Sequence, residues 1–221
     1  MSIKKVIPLF ITFEGPDGSG KTTQIHLLAD YLTGRGFNVL HVREPGGTPI
    51  GDQIRHVLHD MKNQAMEPRA ELLLYSASRA QLVSQTIRPH LAAGGIVICD
   101  RYADSTMAYQ GYGRGLDLDH LRQITFFATG GLTPDLTLYL DIDPEVGLAR
   151  RHTQGEEWNR MDALELEFHR RVSEGYFHLI AAEPGRWIKI DASQGVESIQ
   201  SSIRVVVEDR IKDRLSPTGT R

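Results

Sequence analysis

Residues 15–23, read as GPDGSGKTT, place three glycines ahead of a lysine and two threonines. The spacing G-x-x-x-x-G-K-[ST] suits one kind of ligand, a polyphosphate. Glycines let successive backbone N–H groups turn inward as an anion nest, Lys21 reaches the β/γ oxygens, and the Thr22 hydroxyl ligates Mg²⁺. Gly15, Pro16, Asp17, Gly18, Ser19, Gly20, Lys21, Thr22 and Thr23 are therefore the expected phosphate-donor site. A second set of groups suits a second anion. Arg43, Arg55, Arg79 and Arg101 fall at or near the ends of apolar runs, and arginines that converge there would bind another phosphate-bearing substrate beside the first. The run GGIVICDRY ends in Asp-Arg rather than the carboxylate pair that suits a water-activating motor ATPase, and no N-K-x-D guanine-reading motif occurs.

These groups need a scaffold. Leu9–Glu14, 38–43, Ile96–Asp100, Leu136–Asp141 and Trp187–Asp191 read as short apolar strands separated by helical stretches. That alternation predicts an α/β fold: a five-stranded parallel sheet with helices on both faces. The glycine-rich loop then sits between a strand end and the N-terminus of a helix over 21–33, where the helix dipole favours anions. Longer helices are predicted over 67–93 and 163–182 from their apolar spacing. Four strands end in or beside charge, at Glu14, Arg43, Asp100 and Asp141, and carboxyl ends of parallel strands are where open α/β sheets bind ligands. The polar connector at 150–162, RRHTQGEEWNRMD, is either a plain surface loop or a lid, and 215–221 reads as a frayed tail.

The 221 residues suit one α/β domain, 1–221, and a net charge of −3 with 24% charged residues carries no basic excess of the kind nucleic acid demands. The single cysteine, Cys99, excludes an internal disulfide and lies in an apolar run, as a core residue rather than a nucleophile. KKVIPLFITF superficially resembles a signal peptide, but cleavage after it would remove the first strand. No stretch approaches the ~20 apolar residues of a membrane span. A cytoplasmic protein with no membrane partner is the expectation.

REPGGTPIGDQIR (43–55), CDRYADSTMAYQGYGRG (99–115), PDLTLYLDIDPEVGLAR (134–150) and NRMD (159–162) resemble the bacterial thymidylate kinases, over about residues 9–199. The resemblance implies the nucleoside monophosphate kinase fold, a homodimer, and transfer of the γ-phosphoryl of ATP to dTMP with Mg²⁺. The acceptor phosphate has a second pKa of about 6 and is already mostly a dianion, so no general base is needed. Two anions must be held in line and their repulsion offset. By resemblance, Arg101 lies between donor and acceptor, Arg43, Glu44, Pro45 and Arg55 belong to the acceptor's sugar-phosphate side, and Asp17 lies near the 3′-hydroxyl and the Mg²⁺ shell with Thr22. Tyr75, where the family usually has Phe, stacks on thymine while Arg79 donates to O4. Ser105, Thr106, Tyr109 and Gln110 line the nucleoside pocket, with Tyr109 under the deoxyribose. No arginine occupies the variable loop positions Pro16, Asp17 and Ser19, so transition-state charge falls to the lid arginines Arg150, Arg151 and Arg160. A kinase for another nucleoside monophosphate, and a P-loop ATPase or regulatory nucleotide binder, remain the alternatives.

Overall fold

The computed structural model describes residues 6–153 and 159–215. Its elements in chain order are β1 (Leu9–Glu14), α1 (Lys21–Gly34), β2 (Val39–Arg43), α2 (Pro49–His59), α3 (Pro68–Leu82), α4 (Arg88–Ala92), β3 (Ile96–Asp100), α5 (Ala103–Thr106), α6 (Leu118–Thr129), β4 (Leu136–Asp141), α7 (Pro144–Thr153), α8 (Leu166–Ala182), β5 (Trp187–Asp191) and α9 (Val196–Leu215). The strands form one sheet in the order β2-β3-β1-β4-β5, and every neighbouring pair is parallel. The five expected strands are all present, the second beginning at Val39 rather than at residue 38.

A buried parallel sheet has no wet face, so both sets of alternating side chains must find cover. Leu9, Ile11 and Phe13 of β1, with Ile96 and Ile98 of β3, pack into the cluster that holds Ile25, Leu28 and Leu32 of α1 and Ile203 and Val207 of α9. Phe10, Val97 and Cys99 point the other way, against Leu82, Val83 and Ile87. Cys99 is buried, as expected of a core residue. Thr12, in the middle of β1, meets the neighbouring strand through Oγ1 of Thr137 at 2.9 Å, which satisfies two hydroxyls that would otherwise be stranded.

Chain order produces the binding crevice. From β1 the chain passes to β2 and β3 on one side of the sheet, then to β4 on the other side of β1. The loops leaving the carboxyl ends of β1 and its neighbours therefore diverge and open a cleft above the sheet. The helix expected over 67–93 is interrupted. Val83–Ile87 forms a wider i→i+5 turn between α3 and α4, just before Pro89. Proline lacks an N–H and its ring collides with the carbonyl four residues back, and the widened turn accommodates that misfit. A second wide turn, Met107–Gly113, continues α5. The helix expected over 163–182 begins at Leu166, after extended Glu165. Of the 150–162 connector, residues through Thr153 belong to α7, residues 159–162 return as a turn, and 154–158 lie outside the described residues, as do 216–221 of the expected tail. Among the described residues no helix is long and apolar enough to cross a membrane.

Candidate active site

The loop between β1 and α1 is built on backbone that only glycine adopts easily: φ is +135° at Gly15, +72° at Gly18 and +88° at Gly20. Gly18 has a second constraint. A Cβ there would lie 1.9 Å from the carbonyl oxygen of Gly147, and a Cβ on Gly147 would lie 2.3 Å from that of Asp17. Two facing glycines thus let α7 press directly on the phosphate loop. Lys21 folds back over this loop, donating to the carbonyls of Gly15 at 3.0 Å and Pro16 at 2.8 Å. Burial, with help from the Arg101 cation, brings its ammonium down to about 8.

Above the loop opens a cavity of about 430 Å³. Gly18, Gly20, Lys21, Thr22 and Thr23 line its donor end, whereas Gly15, Pro16 and Ser19 do not line it. The acceptor-side expectations converge on the same cavity from separate elements. Arg43 ends β2, Glu44 and Pro45 follow it, Arg55 comes from α2, and Tyr75 and Arg79 come from α3. Asp17, Arg101, Ser105, Thr106, Tyr109 and Gln110 complete that wall.

Arg101 is the hub. It sits at φ +65°, left-handed backbone that costs a non-glycine residue about 1–2 kcal/mol. That conformation turns the chain sharply off β3, with the Arg101 N–H donating to the Phe13 carbonyl at 2.9 Å. The guanidinium donates to Asp17 at 2.8 Å and lies over the Tyr109 ring, 5.0 Å from its centroid. Beneath it Glu14, wholly buried at the end of β1, accepts from the Tyr102 N–H at 2.8 Å and from the hydroxyls of Ser105 and Tyr176, each at 2.6 Å. Burial lifts the Glu14 carboxyl pKa despite Arg101. Asp17 is the opposite case. Burial would lift it too, but Arg101, Lys21 and Arg151 hold it well below the usual carboxylate range.

Arg79 is fully buried on α3 and pinned from three sides. Nε donates to Glu44 at 2.7 Å, Nη1 to the Thr106 hydroxyl at 2.8 Å and Nη2 to the Tyr102 carbonyl at 3.0 Å. A guanidinium has five N–H groups, so one on each terminal nitrogen is left over. Arg55 donates to the Pro45 carbonyl at 3.0 Å. Burial and neighbouring Arg55 bring His59, also on the cavity wall, down to about 3, so this imidazole stays neutral.

The three arginines of the 150–162 connector differ in what they touch. Arg150 points away from the cavity and donates to the Ala192 carbonyl at 3.1 Å. Arg151 faces in, 3.7 Å from Asp17 and 3.1 Å from Asp162. Consecutive helical residues project about 100° apart, so only one of the two can face the phosphate loop. Arg160 is buried and committed to Glu71 at 2.6 Å and to the Leu58 carbonyl at 2.8 Å, so it braces the structure behind the cavity wall. The expected Mg²⁺ residues Thr22 and Asp17 have different surroundings. Asp17 is taken up by two arginines, whereas the Thr22 hydroxyl donates to Asp100 at 3.2 Å. A hydroxyl and a carboxylate at the mouth of a phosphate loop are the hard oxygen donors that suit Mg²⁺ beside phosphate oxygens. Asp100 and Glu14 read in the sequence only as charges at strand ends, with no individual role.

The thymidylate kinase family profile matches residues 13–203. The chain is 56% identical over 211 residues to a thymidylate kinase of Roseiflexus sp. (strain RS-1), covering 90% of this chain and 93% of that protein. It is 48% identical over 227 residues to the thymidylate kinase of Herpetosiphon aurantiacus, covering 92% and 96%. The crystal structure of thymidylate kinase from Ehrlichia chaffeensis superposes with a TM-score of 0.75 at 35% identity, covering 90% of this chain and 98% of that one. A parallel sheet in this order, a phosphate loop and a second arginine-lined subsite in one cleft thus occur in a chain that belongs to the thymidylate kinase family.

Proposed function

We propose that this enzyme transfers the γ-phosphoryl group of ATP to dTMP, releasing ADP and dTDP. The observation that carries the reading is Arg79. A buried arginine fixed by Glu44, Thr106 and the Tyr102 carbonyl keeps two N–H groups on a cavity-lining side chain, ready for an acceptor such as thymine O4. Cytosine presents an amino group there, and two donors facing each other leave a buried group unsatisfied, at about 1–3 kcal/mol. Tyr75, across the same cavity, offers a ring for stacking; burial, with Glu71 beside it, raises the phenol's pKa and keeps it neutral.

The phosphoryl group passes between two anions, so the protein's work is placement and charge. The backbone of residues 15–20 and Lys21 hold the donor's β and γ phosphates. Lys21 must first release the Gly15 and Pro16 carbonyls, which it does because a phosphate is the better acceptor for an ammonium. Arg43 and Arg55 hold the acceptor phosphate, and Arg101 stands between the two substrates. Arg151, rather than Arg150 or Arg160, meets the charge that builds on the transferring group. Thr22 and Asp100 would hold Mg²⁺, which would supply positive charge to offset that of the phosphates. Asp17, kept ionised by its arginines, fixes Arg101 and Arg151 in the cleft. The Tyr109 ring, beneath Arg101, fills the space where a 2′-hydroxyl would sit.

The protein works as a homodimer in the cytoplasm, where ATP and nucleoside monophosphates are at hand. Leu73 of α3 and Phe126 and Phe127 of α6 support the dimer: all three are exposed, Phe127 at 87%, on helices that pack against each other. Phe127→Asp should shift the sedimentation coefficient to that of a monomer, and an unchanged dimer would place the interface elsewhere. The test of the reaction is ADP release with ATP, Mg²⁺ and a panel of dTMP, dUMP, UMP, CMP, AMP and GMP. Strong dependence on dTMP, with some use of dUMP, is expected, since a missing methyl is worth only ~1–3 kcal/mol. ATP loss without any acceptor would overturn the reading.

A further inference from the structure

Behind the base side of the cavity lies a buried charge cluster that the reaction itself does not use. Its centre is Glu71, one helical turn before Tyr75 on α3 and fully buried. Oε2 of Glu71 accepts from Arg114 at 2.9 Å and pairs with Arg160 at 2.6 Å. Oε1 accepts from Nε2 of Gln110 at 2.9 Å and from Nε of Arg114 at 3.3 Å. Glu71 does not line the cavity, but Gln110 does.

We propose that Glu71 is a positioning residue that sets the hydrogen-bond polarity of the base pocket by fixing which end of the Gln110 amide faces the base. Two guanidinium groups keep Glu71 ionised, and an ionised carboxylate can only accept. Gln110 must therefore turn its NH₂ toward Glu71. Its carbonyl Oε1 is left as the acceptor on the cavity side, and among the described residues no side chain donates to it. An acceptor at that position selects bases that carry an N3–H, which thymine and uracil have and cytosine lacks. Arg79 reads the adjacent position with the opposite polarity. A donor from Arg79 and an acceptor from Gln110 together match the O4, N3–H edge, and cytosine's N4 amino group and N3 lone pair mismatch both.

The cluster makes a specific variant informative. In Glu71→Gln the side-chain oxygen stays at the Oε2 position, where Nη2 of Arg114 donates and the Arg160 guanidinium stands 2.6 Å away, and the new NH₂ falls where Oε1 was, at the expense of the longer 3.3 Å bond from Nε of Arg114. That NH₂ must meet an acceptor, so Gln110 flips, offers its carbonyl to residue 71 and turns its own NH₂ to the base. Pocket polarity at N3 is thereby inverted with no atom of the cavity wall replaced.

The proposal rests on dTMP being the acceptor. The experiment measures kcat/KM for dTMP and for dCMP in the wild type, in Glu71→Gln, and in Glu71→Gln/Arg160→Gln, which also removes the charge of one of Glu71's two arginine partners. Melting temperatures are recorded for each. Both variants should narrow the dTMP:dCMP ratio by about 5- to 150-fold, the worth of one buried hydrogen-bond mismatch. A merely structural role would lower both substrates alike and leave the ratio where it was, and that result in a folded variant overturns the proposal. Gln110→Leu, which leaves the Glu71–arginine pairs in place, should also narrow the ratio. An unchanged ratio there overturns the proposal even if neither Glu71 variant folds. A wild type that uses dCMP as readily as dTMP overturns the substrate reading itself, and the Glu71 proposal with it.

Discussion

Arg150 and Arg151 are neighbours in sequence with separate contacts, so replacing each by alanine tests the proposal that Arg151 alone serves the transition state. Arg151 sits 3.7 Å from Asp17 and 3.1 Å from Asp162, on the cavity wall. Burial pushes Asp162 up to about 6, so of Asp17 and Asp162 it is Asp17 that is the firmer anion. On the proposed role, Arg151 interacts more strongly with the transferring phosphoryl oxygens as negative charge spreads onto them than it does in the ground state. An arginine supplied this way elsewhere contributes about 10³–10⁵ in kcat. Arg101 remains in the same cleft and covers part of the loss, which brings the expectation to about 10²–10³, or roughly 3–4 kcal/mol, the usual worth of one preorganised donor. The dissociation constant for dTMP should hardly change. Arg150 instead holds the Ala192 carbonyl at 3.1 Å. Arg150→Ala should cost about 1 kcal/mol of stability, a fall of roughly 2–4 °C in Tm, and leave kcat within about twofold. Single-turnover rates at saturating ATP, with dTMP affinity measured separately by titration, decide the matter. Equal losses of kcat from both variants, or a loss confined to Arg150→Ala, would refute the assignment of Arg151.

Two further outcomes follow from particular residues. Arg101→Gly and Arg101→Ala both remove the guanidinium and should be almost inactive. The glycine variant should be more stable by about 1 kcal/mol, because φ +65° suits glycine and strains alanine; equal denaturation midpoints would count against that strain. For Lys21, with its ammonium brought down to about 8, a bound polyphosphate should raise the pKa again, so ATP binding takes up protons. Uptake should be slight at pH 7 and about half a proton at pH 8, read from calorimetry in buffers of different ionisation enthalpy. Binding heats that do not depend on the buffer at pH 8 would contradict this.

Much of the architecture could be read from the chain because its signals are local. Runs such as Ile96–Asp100 are apolar throughout, as strands buried on both faces must be, and the glycine-lysine-threonine spacing names its own ligand. What could not be read depends on contacts distant in sequence. Whether Arg150 or Arg151 faces the phosphate is set by how α7 is rotated on the phosphate loop, and that follows from the meeting of Gly18 with Gly147. Arg160 carries nothing locally to say that it will be buried, since its partner Glu71 lies on α3. Glu14 reads as a charge that merely ends a strand, and only the approach of Ser105, Tyr176 and the Tyr102 N–H makes it an organiser of the site. The break near Pro89 had a local signal, the proline itself, but apolar spacing alone extended the helix through it.

The central claim is that one cleft holds ATP and dTMP side by side and passes a phosphoryl group directly between them. Its most direct measurement follows the label from γ-³²P ATP with dTMP and with dCMP in parallel. The account predicts label in dTDP in a one-to-one ratio with ADP, little in free phosphate, and far less transfer to dCMP. Label released mainly as inorganic phosphate, or delivered equally to both acceptors, would contradict it.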